Sequence, residues 1–203
     1  MEAEWQSTGY FPTLEEYLDN GWISVSGHVL LTHFFCLSRQ TKETMQCLKN
    51  YPNFFRSSSI IFRLCNDLAT SAVSISNIFS FFHSETYVQT KFKQISNILQ
   101  AEIARGDAPT SVACYMHEHG VTEEVAREEL KKLISETWKM LNKEVADCDS
   151  FPRSLAIAAI NLARISHCTY HKGDGIGAPD KQKKNHIKSI LFEPIKVTGK
   201  DVH

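Results

Sequence analysis

Asn66, Thr70 and Glu102 carry the oxygen donors that could do chemistry together in this chain. The sequence reads Arg63-Leu64-Cys65-Asn66-Asp67-Leu68-Ala69-Thr70-Ser71-Ala72 and, 28 residues later, Ala101-Glu102-Ile103-Ala104-Arg105-Gly106-Asp107. Joining Ala72 to Ala101 puts Asn66, Thr70 and Glu102 at i, i+4 and i+8, on one face of a helix about two turns long. An amide oxygen, a hydroxyl and a carboxylate on one face form an all-oxygen site, which suits a hard cation such as Mg²⁺ (or Mn²⁺).

The intervening segment, Val73–Gln100, is compositionally foreign. It contains no Ala, Gly, Pro, Asp or Arg and is rich in Ser, Ile, Phe, Asn, Gln and Lys. Val73-Ser74 can be encoded as a splice donor and Leu99-Gln100 as a splice acceptor. The segment therefore reads as a retained, in-frame intron. The other reading is a true insertion loop, but loops of this length are uncommon inside compact domains. In the chain as written, the residue eight positions after Asn66 is Ser74, which has no carboxylate. A helix that simply continues loses its anionic ligand. Glu102 returns only if the insert loops out and the helix re-forms, at the cost of loop-closure entropy.

The elements that must position these groups read as all-helical. Thr13 and Glu16 fit a capping box at the start of a short helix that Gly21 should end. Trp22 to Leu37 is mostly apolar, with a kink or break expected at Ser24–Gly27. Lys42 to Leu48 reads as a short exposed helix, and Phe54 to Ala72 as a long one carrying the first half of the site. Pro109 suits the first turn of a helix ending at Gly120. Thr122 to Glu144 is amphipathic, with Thr122 as cap and Val125, Leu130, Leu133, Ile134, Trp138 and Leu141 as the buried stripe. Pro152 opens a helix through Thr169. A Gly-rich loop, Lys172 to Asp180, leads to a final helix ending near Leu191. No β pattern of useful length and no internal repeat is present.

Composition narrows the function classes. The chain has 203 residues and a net charge of −1, which gives no broad pull toward nucleic acid or an anionic membrane. No apolar run reaches the ~18–20 residues of a membrane span. The acidic start, Met1-Glu2-Ala3-Glu4-Trp5, lacks the features of a signal or transit peptide. The six cysteines have irregular spacing and no C-x-x-C pair, so reduced, mostly buried thiols are expected rather than zinc or a disulfide framework.

The rejoined string matches (N/D)-D-(L/I/V)-x-(S/T)-x-x-x-E and resembles the second metal motif of plant class I terpene synthases. Further stretches resemble the all-α, C-terminal catalytic domain of that family, closest to its monoterpene branch. They are Gly9-Tyr10 with Pro12–Tyr17, Asn20–Ser24, Arg63-Leu64 with Asn66–Leu68, Ala104–Asp107 with Pro109, Tyr170–Gly175 and Leu191–Ile195. Together they run from about Trp5 to Ile195, leaving out the insert. The resemblance implies the C-terminal half of a terpene synthase helical bundle. It also implies that Asn66, Thr70 and Glu102 hold a Mg²⁺ (or Mn²⁺) that grips the diphosphate of a prenyl substrate. Arg63, one turn before Asn66, would reach the same diphosphate. Asp67 conforms to the motif but points elsewhere on the helix. Tyr170 and Asp174 match a loop that closes over the active site. Ser24–Gly27 matches a helix break whose carbonyls face the reacting cation. The implied chemistry is metal-assisted ionisation of geranyl diphosphate or a similar substrate. Cyclisation, deprotonation or water capture would follow. The implied partner is the prenyl diphosphate, with no nucleic acid, no membrane and a monomeric working unit. The full-length parent would reside in the plastid. This chain, expressed as written, would stay in the cytoplasm.

Departures from the family weigh against activity in this chain alone. No Asp-Asp pair occurs in it, so the family's D-D-x-x-D motif is expected upstream of Met1, with the N-terminal helical domain and the transit peptide. Thr110 stands where many members carry a diphosphate-binding Lys, and Ile176 where an aromatic or His is common. Two readings follow: a truncated terpene synthase whose parent is the enzyme, or a non-catalytic helical pseudoenzyme. A prenyl diphosphate synthase is weaker, because it would need two Asp-rich motifs. Blander roles stand beside the site roles. Tyr170 also fits an ordinary half-buried tyrosine, and Asp174, between two glycines, fits turn chemistry. Trp138 reads as core.

Overall fold

A computed structural model describes residues 2–37, 51–79, 109–149, 151–171, 173 and 181–192. These residues form eight α-helices and no strand: α1 (Glu2–Thr8), α2 (Leu14–Ser24), α3 (Gly27–Leu37), α4 (Asn53–Phe79), α5 (Ser111–His119), α6 (Glu123–Ala146), α7 (Arg153–Tyr170) and α8 (Lys181–Leu191). The all-α class expected from the sequence is the class observed. The helix expected at Lys42–Leu48 lies outside the described residues, as do Glu102 and Asp174.

The bundle is built around α4, which packs most extensively against α7 and α6 and also touches α2, α3 and α5. Phe54, Phe55, Ile61 and Leu64 on α4 are fully buried, as are Leu130 and Leu141 on α6 and Leu155 on α7. Each such side chain contributes about 1.5–3 kcal/mol by leaving water. Small residues bring the helices close. Ala156, Ala159 and Ala163 form the buried stripe of α7, and the Ser58 hydroxyl donates to the Ala159 carbonyl at 2.7 Å. Gly27 sits against Ser59, where an added Cβ would lie 2.4 Å from the hydroxyl oxygen.

Local signals explain most boundaries. The capping box at Thr13 and Glu16 is present with both of its hydrogen bonds. The break at Ser24–Gly27 is real: α2 ends at Ser24, Ser26 takes φ +64°, and α3 begins at Gly27. The Ser26 carbonyl accepts from Val29 and Leu30, so it closes the first turn of α3. Gly120 ends α5 in the left-handed region, at φ 62°.

Several expectations are corrected. Gly21 does not end α2, because it is buried against Arg63 and the helix runs three residues past it. Pro109 lies before the cap of α5. Thr110 is that cap, its hydroxyl accepting from the Ala113 amide. Thr122 occupies the cap position of α6 but makes no side-chain cap bond. On α6 the buried stripe is Ala126, Leu130, Ile134, Thr137 and Leu141, while Leu133 and Trp138 are only partly buried. Val125 is 46% exposed, because Ala126 rather than Val125 takes the buried position of the stripe. Of the described cysteines, Cys65 and Cys114 are buried, Cys148 is intermediate, and Cys36 and Cys168 are exposed; all five are free thiols. The short helix α1 was not anticipated.

Candidate active site

Helix α4 shows where a site can lie. Between Phe54 and Ser71, Arg56, Phe62, Arg63, Asn66, Leu68 and Thr70 are not buried. At about 100° per residue, all of these except Leu68 fall within an arc of about 120°. The candidate metal face thus lies on the most open strip of α4 between Phe54 and Ser71.

On that strip the Thr70 hydroxyl donates to the Asn66 backbone carbonyl at 3.0 Å. Its proton is therefore engaged while its lone pairs can still accept. Asn66 is half-buried. Helix α4 continues without a break through Ala72–Val73 to Phe79. Ser74 thus takes the i+8 place. The described helix supplies two neutral oxygens to the strip and no carboxylate. Among the described residues no cluster of three His, Cys, Asp or Glu side chains could hold a metal. Two neutral oxygens do not by themselves satisfy a hard divalent cation, which takes carboxylate ligands as well.

Asp67, one residue from Asn66, is turned inward and is 2% exposed. Its Oδ2 accepts from the Tyr17 hydroxyl at 2.8 Å and from the Ser111 amide at 2.9 Å. Arg63 approaches its Oδ1 at 3.5 Å. The expectation that Asp67 points away from the metal face therefore holds. Its structural work is to join α4 to α2 and to the N-terminus of α5, where an anion is favoured. Burial pushes its carboxyl above the ordinary 3.8. The Arg63 guanidinium, the Ser111 amide and the Tyr17 hydroxyl pull it back down. Burial and then the Asp67 charge push the Tyr17 hydroxyl well above 10.0, so it stays protonated and can donate.

Arg63 is held from behind. Its Nε donates to the Tyr17 hydroxyl at 2.7 Å, and the guanidinium carbon lies 5.4 Å from the Tyr17 ring centroid. Gly21 leaves the room for this: a Cβ there would come within 3.3 Å of the Arg63 Cγ. The Nε edge is thus committed to the protein. Tyr170, in the last turn of α7, stacks on Phe62 with ring centroids 6.2 Å apart. That contact brings the end of α7 to the Phe62 edge of the strip. The described fold thus brings Arg63, Asn66, Thr70 and Tyr170 to α4's open side.

Sequence reasoning missed Tyr17 and Gly21 as partners of Arg63. Nothing local marks them, since each meets Arg63 across more than 40 positions of chain. Asp67 could have been found, because a carboxylate one residue off the metal face must point about 100° round the helix.

Comparison with known proteins bears on this geometry. The profile of the terpene synthase family metal-binding domain matches residues 1–81, and that of the terpene synthase family 2 C-terminal metal-binding domain matches residues 98–140. The chain is 43% identical over 197 residues to a chloroplastic tricyclene synthase of Medicago truncatula, covering 96% of this chain and 29% of that protein. Isoprene synthase from grey poplar, solved with three Mg²⁺ ions and dimethylallyl-S-thiolodiphosphate, superposes with a TM-score of 0.70 at 37% identity. That match covers 96% of this chain and 32% of the other. Limonene synthase with 2-fluorolinalyl diphosphate gives a TM-score of 0.74 at 36% identity, over 95% of this chain and 31% of the other. The chain therefore spans about a third of the length of the proteins it matches. Its helices, the open strip of α4 and these matches converge: the chain belongs to the terpene synthase family, within the metal-binding C-terminal domain.

Proposed function

We propose that the activity of the parent protein is Mg²⁺-dependent ionisation of a prenyl diphosphate, with geranyl diphosphate as substrate, giving a monoterpene. We further propose that this chain, as written, does not catalyse the reaction. In the parent, Asn66, Thr70 and Glu102 would hold a Mg²⁺ (or Mn²⁺), which when bound stabilises the charge of the departing diphosphate. Arg63 would pair with the same diphosphate. Tyr170 and Asp174 would help exclude water from the pocket.

The observation that carries the reading of inactivity is the continuity of α4 through Ala72–Val73. It leaves Ser74 where the motif needs a carboxylate. The gap between the two matched stretches, residues 82–97, falls wholly inside the foreign segment, which supports the retained-intron reading. Support for the substrate comes from the diphosphates bound in the isoprene and limonene synthases. Relatives named as chloroplastic support a plastid location for the parent. A monomeric working unit belongs to the same reading.

The test compares the 203-residue chain with a variant lacking Val73–Gln100. Mn²⁺ binding, followed by electron paramagnetic resonance, should appear or tighten at least tenfold in the deletion variant and be lost again on Glu102→Gln. Equal Mn²⁺ binding by both chains would refute the assignment of Glu102. Sequencing the transcript across codons 60–110 and upstream of Met1 decides which form the cell makes.

A further inference from the structure

The last described helix, α8, reads KQKKNHIKSIL and holds four lysines and no acidic residue. It is strongly basic in a chain whose net charge is −1. The expectation of no membrane partner rests on the chain-wide value, which averages this local charge away. Among the described residues, α8 packs extensively on no other helix. Lys181, Lys184 and Lys188 are exposed. Phe192, whose amide donates to the Lys188 carbonyl at 2.9 Å, is 77% exposed. At about 100° per residue these four positions fall within an arc of about 80° and span about 16 Å along the helix axis.

Two features separate this stripe from an ordinary solvated face. The first is pairing. On α6, Lys131, Lys132 and Lys139 each meet a Glu three residues earlier, at 2.6–2.7 Å. The sequence of α8 offers its lysines no such partner. Asp180 and Glu193 bound the helix in sequence, outside the described residues. The second feature is polarity. Helix α2 opens with Glu15 and Glu16, and α6 with Glu123 and Glu124, where the positive end of the helix dipole favours them. Helix α8 instead opens with Lys181, Lys183 and Lys184 and has no acid in its first turn. Lysines there oppose the dipole and repel one another, so helix formation does not account for them. An opposing layer of anions would relieve both effects.

We propose that this stripe docks the chain on an anionic lipid surface, with Lys181, Lys184 and Lys188 over the headgroup phosphates and Phe192 at the acyl boundary. The exposed phenyl ring shares the lysine face, so the partner must be anionic at its surface and apolar just beneath it. A bilayer has that layering, whereas a nucleic-acid duplex offers the charge with its bases stacked away. Four lysines on one helix reach the density at which anionic lipids are recognised. Long lysine stems let the ammonium groups stay at headgroup level while the ring goes deeper. No described helix is long and apolar enough to cross a membrane, so the contact is peripheral. It does not rest on the catalytic reading of Asn66, Thr70 and Glu102.

The test sediments the 203-residue chain with vesicles of phosphatidylcholine containing about 30% phosphatidylserine, and with vesicles of phosphatidylcholine alone. Binding should saturate on the anionic vesicles and be at least about tenfold weaker on the neutral ones. It should be lost at about 1 M salt, where the screening length is about 3 Å. Each lysine near such a surface is worth about fivefold, so Lys181→Gln/Lys184→Gln/Lys188→Gln should weaken binding about a hundredfold. Phe192→Ser should weaken it about tenfold and leave the salt dependence in place. Lys131→Gln/Lys132→Gln/Lys139→Gln removes the same charge from α6 and should leave affinity within about twofold. All of these side chains are exposed, and circular dichroism checks that each variant is folded. Equal binding to the two vesicle types would overturn the proposal. So would an equal loss in the two triple-lysine variants, unchanged affinity in Phe192→Ser, or tighter binding to a DNA duplex than to the anionic vesicles.

Discussion

Replacing Asp67 with Ala should be the most damaging single change on α4 that leaves its open strip untouched. The carboxylate is 2% exposed and has three partners on three elements. Hydrogen bonds to a charged group contribute about 1.5–3 kcal/mol each, but they cannot simply be added, because desolvating the carboxylate opposes them. The better measure is what Asp67→Ala leaves behind. The Ser111 amide loses its acceptor at the start of α5, the Tyr17 hydroxyl loses the oxygen it donates to, and Arg63 loses the carboxylate beside its Nε. Removing one partner of a buried ion pair costs about 3–5 kcal/mol. That is a large share of the ~5–15 kcal/mol that holds a typical domain folded. Tyr17→Phe should cost less, about 1–3 kcal/mol, because Arg63 and Asp67 can still meet directly. The two changes should be non-additive by about 0.5–3 kcal/mol, since they remove parts of one network. Urea unfolding followed by circular dichroism, with the single and double variants compared at equal slope, reads all three values. A loss under about 1 kcal/mol for Asp67→Ala would refute the claim that this carboxylate ties α2, α4 and α5 together.

Other outcomes follow from the same packing. Gly27→Ala should destabilise by about 1–3 kcal/mol, because the new methyl must displace Ser59. Ser59→Ala should cost little alone, since its hydroxyl is buried without a partner, and it should partly rescue Gly27→Ala. Chemical denaturation of the three variants checks both statements, and full additivity would contradict them. His167 should make the fold acid-sensitive. Its pKa is lowered from 6.5, first by burial and then by His171. Just below pH 6.5 the unfolded chain therefore binds more protons than the folded one, and stability falls as pH drops through that value toward the folded pKa. Protonation also removes the Nε2 acceptor of Trp138. A His167→Gln variant should lose this part of the pH dependence, as measured by thermal unfolding from about pH 7.5 to 5.5. Identical pH profiles for the two proteins would overturn the assignment.

The sequence by itself determined that the chain is helical, where most helices start and stop, and which residue types could meet a diphosphate and a metal. Those properties are local. The Thr13–Glu16 capping box, the break at Ser24–Gly27 and the glycine after α5 are each written within a few residues, and the Asn66–Thr70 spacing follows from the helix repeat alone. The register of α6 was less legible, because whether Val125 or Ala126 faces inward depends on what packs opposite. Only the tertiary structure decided that Asp67 is a buried tether, that Tyr17 and Gly21 hold Arg63, and that Arg127 reaches the Leu68 carbonyl. Each of these depends on contacts across about 40 or more residues, which no local pattern encodes. The tertiary structure also decided how α4 treats the foreign segment. A helix packed by α6 and α7 runs on past Ala72 to Phe79, which puts Ser74 eight positions after Asn66.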